Sequence, residues 1–199
     1  LENYLQHTTR SYHYDFDGTN LYAYMSDNSY FSFGNGTTDS PFSMFALVTN
    51  DSNSGSMHVM SKYDTLGDKE YYLGLNTSGY PVFYLSDTGS GSLDCRSNAK
   101  IGTGTWYSMI GTYDGTSTTA GIKIYINGLF DDVTQTKTSY TAMHNTTVSS
   151  CIGGCVNGAS YTNKWDGYIA CVGLVAKELT EHEAWALNRY MRAFWGVNI

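Results

Sequence analysis

The sequence predicts an all-β fold: an antiparallel β-sandwich of jelly-roll type closed by one short C-terminal helix. Three observations carry that reading. Short apolar or alternating runs recur along the chain with turn residues between them. Gly, Ser, Thr and Asn supply 79 of the 199 residues, the chemistry of turns and outward strand faces. The acids are also divided, with 13 Asp against 5 Glu, and three of those Glu (Glu178, Glu181 and Glu183) crowd one stretch near the end.

Taken in order, strands are expected over 12–16 and 21–25, joined by the turn from Asp17 to Asn20. Runs at 42–49, 57–63, 71–76 and 81–85 follow, and 86–91 reads as a small-residue loop. Strands at 106–113 and 122–126 end in Asp114-Gly115 and Asn127-Gly128. Asn-Gly between 122–126 and the apolar pair Leu129-Phe130 is a two-residue hairpin signal, because both central positions need a positive φ. Runs at 148–152 and 168–175 complete at least ten strands. The period then changes. Thr180 and Glu183 form a capping box, Ala184, Leu187, Met191, Phe194 and Trp195 fall at helical spacing, and Gly196 stops the helix. A helix over about 180–195 with so much aromatic surface is expected to pack on the sandwich. Residues 1–13 read as a lead-in and 14–199 as one domain.

Composition excludes several classes. Eleven Lys and Arg against 18 acids give a net charge of −7, which disfavours nucleic acid or an anionic membrane as the main partner. No apolar run is long enough to span a bilayer. Thirty aromatics rule out a chain without a core. Position 1 is not Met and no signal peptide is evident, so the chain reads as a processed product or an excised domain. Cys95, Cys151, Cys155 and Cys171 permit three full pairings. Their spacing is not that of a zinc or redox pair, so they read as buried free thiols or as one or two disulfides. Four glycosylation sequons, at Asn35, Asn50, Asn76 and Asn145, are expected by chance in a chain this rich in Asn, Ser and Thr.

A family resemblance emerges from ordered blocks. YDFDGTN at 14–20 resembles the opening strand of laminin-G-like domains in the concanavalin A-like lectin/glucanase superfamily. PFSMFA at 41–46, MSKYD at 60–64 and YLGL at 72–75 resemble its next strands. TWYSMIGTYDG at 105–115 resembles the family's central strand, and IYING at 124–128 its hairpin. IGG at 152–154, WDGYI at 165–169 and the final helix resemble its closing segments. The resemblance implies a sandwich that hosts lectins, adhesins, hydrolases, lyases and structural modules alike. It also implies a structural calcium site at Asp17, although the family's partner carboxylate after "GYI" is replaced here by Ala170 and Cys171.

Catalysis is not expected. Glucanases of this fold align alternate acids along one strand, and no such run exists, Glu70 being the only Glu between Glu2 and Glu178. The five His share no motif that would serve a lyase. For one structural calcium ion the best oxygen donors are Asp17 and Asp166, with Asp64 and Asp68 as further ligands. For a sugar, aromatic faces and nearby polar groups are needed. Tyr63, Asp64, Tyr80, Tyr140, Tyr161 and Trp165 are the candidates outside the expected core, whereas Trp106 is assigned to the core and Trp185 and Trp195 to the packed helix. The leading expectation is a non-catalytic carbohydrate-binding or adhesion module on an extracellular, cell or virion surface. The alternatives are a decoration domain of a phage capsid or tail fibre, self-associating through Tyr-rich faces, and a polysaccharide hydrolase or lyase.

Overall fold

A computed structural model describes residues 13–87, 90–131 and 134–197. The expected lead-in falls almost wholly outside the described residues. The strands are β1 (Tyr14–Asp17), β2 (Ala23–Met25), β3 (Phe42–Val48), β4 (Met57–Tyr63), β5 (Lys69–Leu75), β6 (Pro81–Ser86) and β7 (Ser92–Arg96). Then come β8 (Tyr107–Tyr113), β9 (Ile122–Ile126), β10 (Leu129–Phe130), β11 (Thr134–Thr138) and β12 (Ser150–Ile152). β13 (Cys155–Asn157), β14 (Ser160–Thr162), β15 (Asp166–Val175) and helix α1 (Glu181–Trp195) complete the chain. One sheet runs β1-β15-β3-β8-β9-β10 and the other β11-β7-β6-β5-β4-β12-β2, with β13-β14 a separate hairpin. All paired strands are antiparallel, as a sandwich with almost no helix requires.

The main core lies between the two sheets. Phe42, Met44, Ala46 and Val48 of β3 face Tyr71, Leu73, Leu75, Phe83 and Leu85 of the second sheet. The Asn127-Gly128 turn has φ of 55° and 79°, the paired positive values that the Asn-Gly signal demands. Thr180 caps α1 as the capping box predicts, and Gly196 closes it at φ 65°. A second apolar cluster joins Leu47, Ile110 and Tyr125 to Leu179, Ala184 and Met191. The helix therefore covers the outer face of the six-stranded sheet. Among the described residues, no α-helix covers the outer face of the seven-stranded sheet.

Four strands went unread in the sequence: β7, β11, β13 and β14. TQTKT at β11 contains no apolar residue, and β7 offers only Leu93 and Cys95. Both were invisible to a search for hydrophobic alternation, and both obtain their pairing from a neighbour already in place. The cysteines are four free thiols. No helix among the described residues is long and apolar enough to cross a membrane.

Candidate functional site

Alternation along β5, β6 and β7 builds one face. Tyr71, Leu73, Phe83, Leu85, Leu93 and Cys95 turn inward, so Tyr72, Tyr84 and Asp94 turn outward. Register then aligns them in one row, with Ser61 opposite Tyr72, Tyr72 opposite Tyr84, Tyr84 opposite Asp94 and Asp94 opposite Thr136. The His58 ring stacks on Tyr72 at 3.9 Å between centroids, and Tyr72 stacks on Tyr84 at 5.0 Å. Tyr63 meets Tyr72 and Tyr84 edge-on at 5.6 and 6.0 Å. In this ladder Tyr72 has neighbours on both faces. Tyr84 stacks on Tyr72, meets Tyr63 edge-on, and has Asp94 as its cross-strand neighbour on the other side.

Electrostatics separate structural members of the ladder from available ones. His58 is buried, and loss of solvent pushes its imidazole down to about 3, so it is a neutral packing ring. Burial lifts the Tyr63 phenol to about 12 and raises Tyr72 further, leaving both hydroxyls protonated as donors. Asp94 is half-buried, and desolvation lifts its carboxyl to about 6, with only the Arg96 charge opposing. No hydrogen-bond donor among the described residues reaches that carboxylate. Arg96 lies beside it, its Nη2 donating to Thr134 Oγ1 at 3.1 Å and its guanidinium 4.7 Å from the Tyr80 ring centroid. At the far end the β13-β14 hairpin walls the face, held by Ser61 Oγ donating to Gly154 O at 2.7 Å. Tyr161 of that hairpin stacks on Tyr22 at 4.0 Å.

The residues singled out in the sequence scatter. Tyr63 belongs to the ladder. Tyr80 lies at its rim between Arg96 and Lys100. Asp64, Asp68 and Tyr161 line a separate polar hollow of about 440 Å³, where Asp64 Oδ1 accepts from the Leu66 and Gly158 amides. Two expectations need correction. Trp165 is fully buried, its Nε1 donating to Thr49 O at 2.9 Å. Tyr140 is buried too, its hydroxyl donating to Asp39 Oδ2 at 2.6 Å. Both lie in segments the sequence marks as loop, yet each tucks its ring into the core and satisfies its polar end there. Conversely, Trp106 is only half-buried against His13 and Tyr168, and Trp185 is 40 % exposed. The sequence reading missed Tyr72, Tyr84, Asp94 and Arg96 as a group. The signal available was the alternation of β5 and β6, which places both tyrosines opposite the core.

The calcium donors also differ from a cation cage. Asp17 Oδ1 already accepts the backbone amides of Thr19, Asn20 and Leu21, which holds its carboxyl well below the usual range. Asp166 pairs with Asp17 in register, with its carboxyl raised by burial and by Asp51, Asp15 and Asp17. The Lys164 ammonium donates to Thr19 O in the same turn. Although Asp15 and Asp51 also lie near, no three acidic, His or Cys side chains among the described residues are grouped to hold a metal, and the Lys164 ammonium in the same turn does not fit a hard dication that wants six or more oxygens. A further cleft of about 560 Å³ opens at the sandwich edge, lined by Phe16, Leu21, Ile152, Ile169 and Val172. Tyr14, Asp15 and Tyr22 add polar groups to its rim.

The sequence matches a family profile described as the concanavalin A-like lectin/glucanase superfamily, laminin-G type, over residues 17–184. The chain belongs to that superfamily. No curated protein matches it. Among solved structures, the binding domain of botulinum neurotoxin serotype G superposes with a TM-score of 0.64 at 14 % identity, over 94 % of this chain and 45 % of the other. A Bacteroides ovatus protein proposed to bind carbohydrate gives 0.59 at 18 % identity, over 85 % of this chain and 45 % of that one. A structure of botulinum neurotoxin type C, reported with two-ganglioside dependence of cell entry, gives 0.60 at 16 % identity over 85 % and 40 %. This laminin-G-like chain therefore spans less than half the length of these neighbours. At such identities the likeness is one of fold.

Proposed function

We propose that this laminin-G-like domain is a non-catalytic carbohydrate-recognition module acting on an extracellular or virion surface. Its binding face is the Tyr63–Tyr72–Tyr84–Asp94–Arg96 row. The observation that carries the reading is Asp94: a half-buried carboxylate next to the open side of an aromatic ladder, with no donor of its own. Leaving such a group unpaired destabilises the fold, and ligand hydroxyls supply the missing hydrogen bonds. Tyr84 offers an aromatic surface for the apolar face of a pyranose, and Arg96 and Thr136 supply donors at the rim. The Bacteroides ovatus protein proposed to bind carbohydrate and the ganglioside-dependent neurotoxin type C support the reading through the shared fold.

Glycan-array screening followed by calorimetry, with calcium and with a chelator, tests it. Binding to at least one oligosaccharide is expected, unchanged by chelation. Asp94→Asn and Tyr84→Ala are each expected to weaken it about tenfold or more, since a hydrogen bond to a charged group contributes roughly 1.5–3 kcal/mol. Silence across the array in both conditions would sink the reading. A second reading, a decoration module working through protein contacts, is favoured by one other surface. Tyr190 and Phe194, one turn apart on α1 with ring centroids 5.9 Å apart, are each 63 % exposed. Sedimentation at rising concentration distinguishes the two: association abolished by Tyr190→Ser with Phe194→Ser supports the second.

A further inference from the structure

Away from the carbohydrate face, and independent of it, a lysine and two carboxylates meet inside the protein. Lys62 on β4 and Glu70 on β5 are both buried with side chains wholly out of water. Lys62 Nζ lies 2.6 Å from Glu70 Oε1 and 3.0 Å from Asp27 Oδ1, in the segment between β2 and a 3-10 turn at Ser29–Phe31. Its third hydrogen bond goes to Thr146 O at 2.6 Å. Glu70 Oε1 also receives the Thr146 amide and hydroxyl at 2.8 and 2.7 Å, while Glu70 Oε2 is buried without a partner. The Asp27 side chain is 31 % exposed, so it alone of the three opens toward solvent.

We propose that Lys62 and Asp27 condense into an intramolecular isopeptide bond, with Glu70 as the proton shuttle. The amine and the carbon it attacks are held close together, since the Asp27 Cγ lies one bond beyond an oxygen 3.0 Å from Nζ. Glu70 relays one proton from the Lys62 ammonium to the Asp27 carboxylate, leaving a neutral amine and a neutral acid. The amine lone pair forms the Nζ–Cγ bond. A second proton passes from nitrogen through Glu70 to the departing Asp27 oxygen, the Cγ–Oδ bond breaks, and one water leaves through the exposed side of Asp27. Glu70 ends as it began, and no oxidant or cofactor enters the balance.

Two physical features favour this step over a permanent ion pair. Burying the Lys62 ammonium is costly, and condensation removes that charge together with the Asp27 charge, while Glu70 keeps the Thr146 amide and hydroxyl as donors. Burial also raises the Glu70 carboxyl above the ordinary value, although Lys62 and Thr146 oppose the rise, so its proton affinity suits a relay. The unpartnered Oε2 is the second oxygen such a relay needs.

Intact mass spectrometry of the denatured full chain reads the bond directly. The expected mass is about 18 Da, one water, below the sequence mass. The sequence has no tryptic site between Arg10 and Lys62, so digestion should leave the Lys62 bond uncut and yield one internally looped peptide of residues 11–69 that carries the water deficit, which a chymotryptic cut inside the loop opens without separating the two pieces. Asp27→Asn keeps the shape but must release ammonia, so its deficit should be about 17 Da in the same looped peptide. Glu70→Gln is expected to retain the full mass. The full sequence mass in the wild-type protein, with trypsin cutting after Lys62, overturns the proposal. So does an 18-Da deficit located elsewhere, such as a succinimide at Asp17-Gly18.

Discussion

Asp39 and Asp94 are both half-buried carboxylates set beside tyrosines, and burial raises the carboxyl of each. Their hydrogen bonding differs. Asp39 Oδ2 accepts from the hydroxyls of Tyr113 at 2.7 Å and Tyr140 at 2.6 Å, and Oδ1 accepts from the Met143 amide at 2.8 Å. Asp94 accepts from nothing in the described protein. The same two residue types thus make a finished structural joint at one place and an open surface at another. Composition alone cannot separate them; the hydrogen-bond inventory does.

The largest effect expected from this contrast is on stability. Asp39→Ala strands two buried phenols and a backbone amide, and is expected to cost roughly 3 kcal/mol by urea denaturation, at about 1–3 kcal/mol for an abandoned buried donor. Asp94→Ala should cost nothing on the same assay. Equal losses at both positions would erase the distinction and return Asp94 to the structural class.

A second measurement sharpens it through pH. The folded Asp94 carboxyl titrates near 6, above its ordinary 3.8, so the folded state disfavours the ionised form. The sign follows: Asp94 is neutral in its effect at low pH and subtracts stability as pH rises from about 4 through 6. Asp94→Asn is therefore expected to stabilise the protein at pH 8 by about 1 kcal/mol, discounted for the open side of the group. The gain should vanish below pH 4. Binding should move the opposite way, lost in the variant and weakened in the wild type as pH falls through 6. A variant both less stable and unchanged in binding would remove Asp94 from the site.

Much of this fold could be read from sequence because it rests on local rules. The Asn127-Gly128 hairpin, the Thr180 capping box and the inward alternation of Leu73 and Leu75 are each specified within a few residues. The site could be read only in part. Tyr63, a candidate in the sequence, lies in the ladder, whereas Asp94 sits on β7, whose SLDCR run carries too little hydrophobic pattern to announce a strand. Its place beside Tyr84 depends on long-range register. Trp165 and Tyr140 failed in the opposite sense. Their loop context suggested exposure, and only the three-dimensional position of Thr49 O and Asp39 explains why they bury.

A third carboxylate marks the other limit of the comparison, and carries the smallest expected effect. Glu183 is exposed, and its carboxyl is pulled down to about 2, first by the Lys177 ammonium at 2.7 Å and then by the Thr180 amide and hydroxyl. Its shift runs opposite to that of Asp94 because its charge is met by donors, in water. The sign reverses accordingly: its contribution is present above pH 4.5 and is lost as pH falls toward 2. Thr180→Ala removes one half of the capping box and is expected to cost about 1 kcal/mol, with glycan binding unaffected. Thermal melts at pH 7 and at about pH 1.5 check this, the cost being smaller at the lower pH because the Glu183 carboxyl is then protonated and the Thr180 hydroxyl no longer meets a charge. A pH-independent cost would mean that the Thr180 hydroxyl acts alone at the helix start, and that Glu183 owes its lowered carboxyl to Lys177.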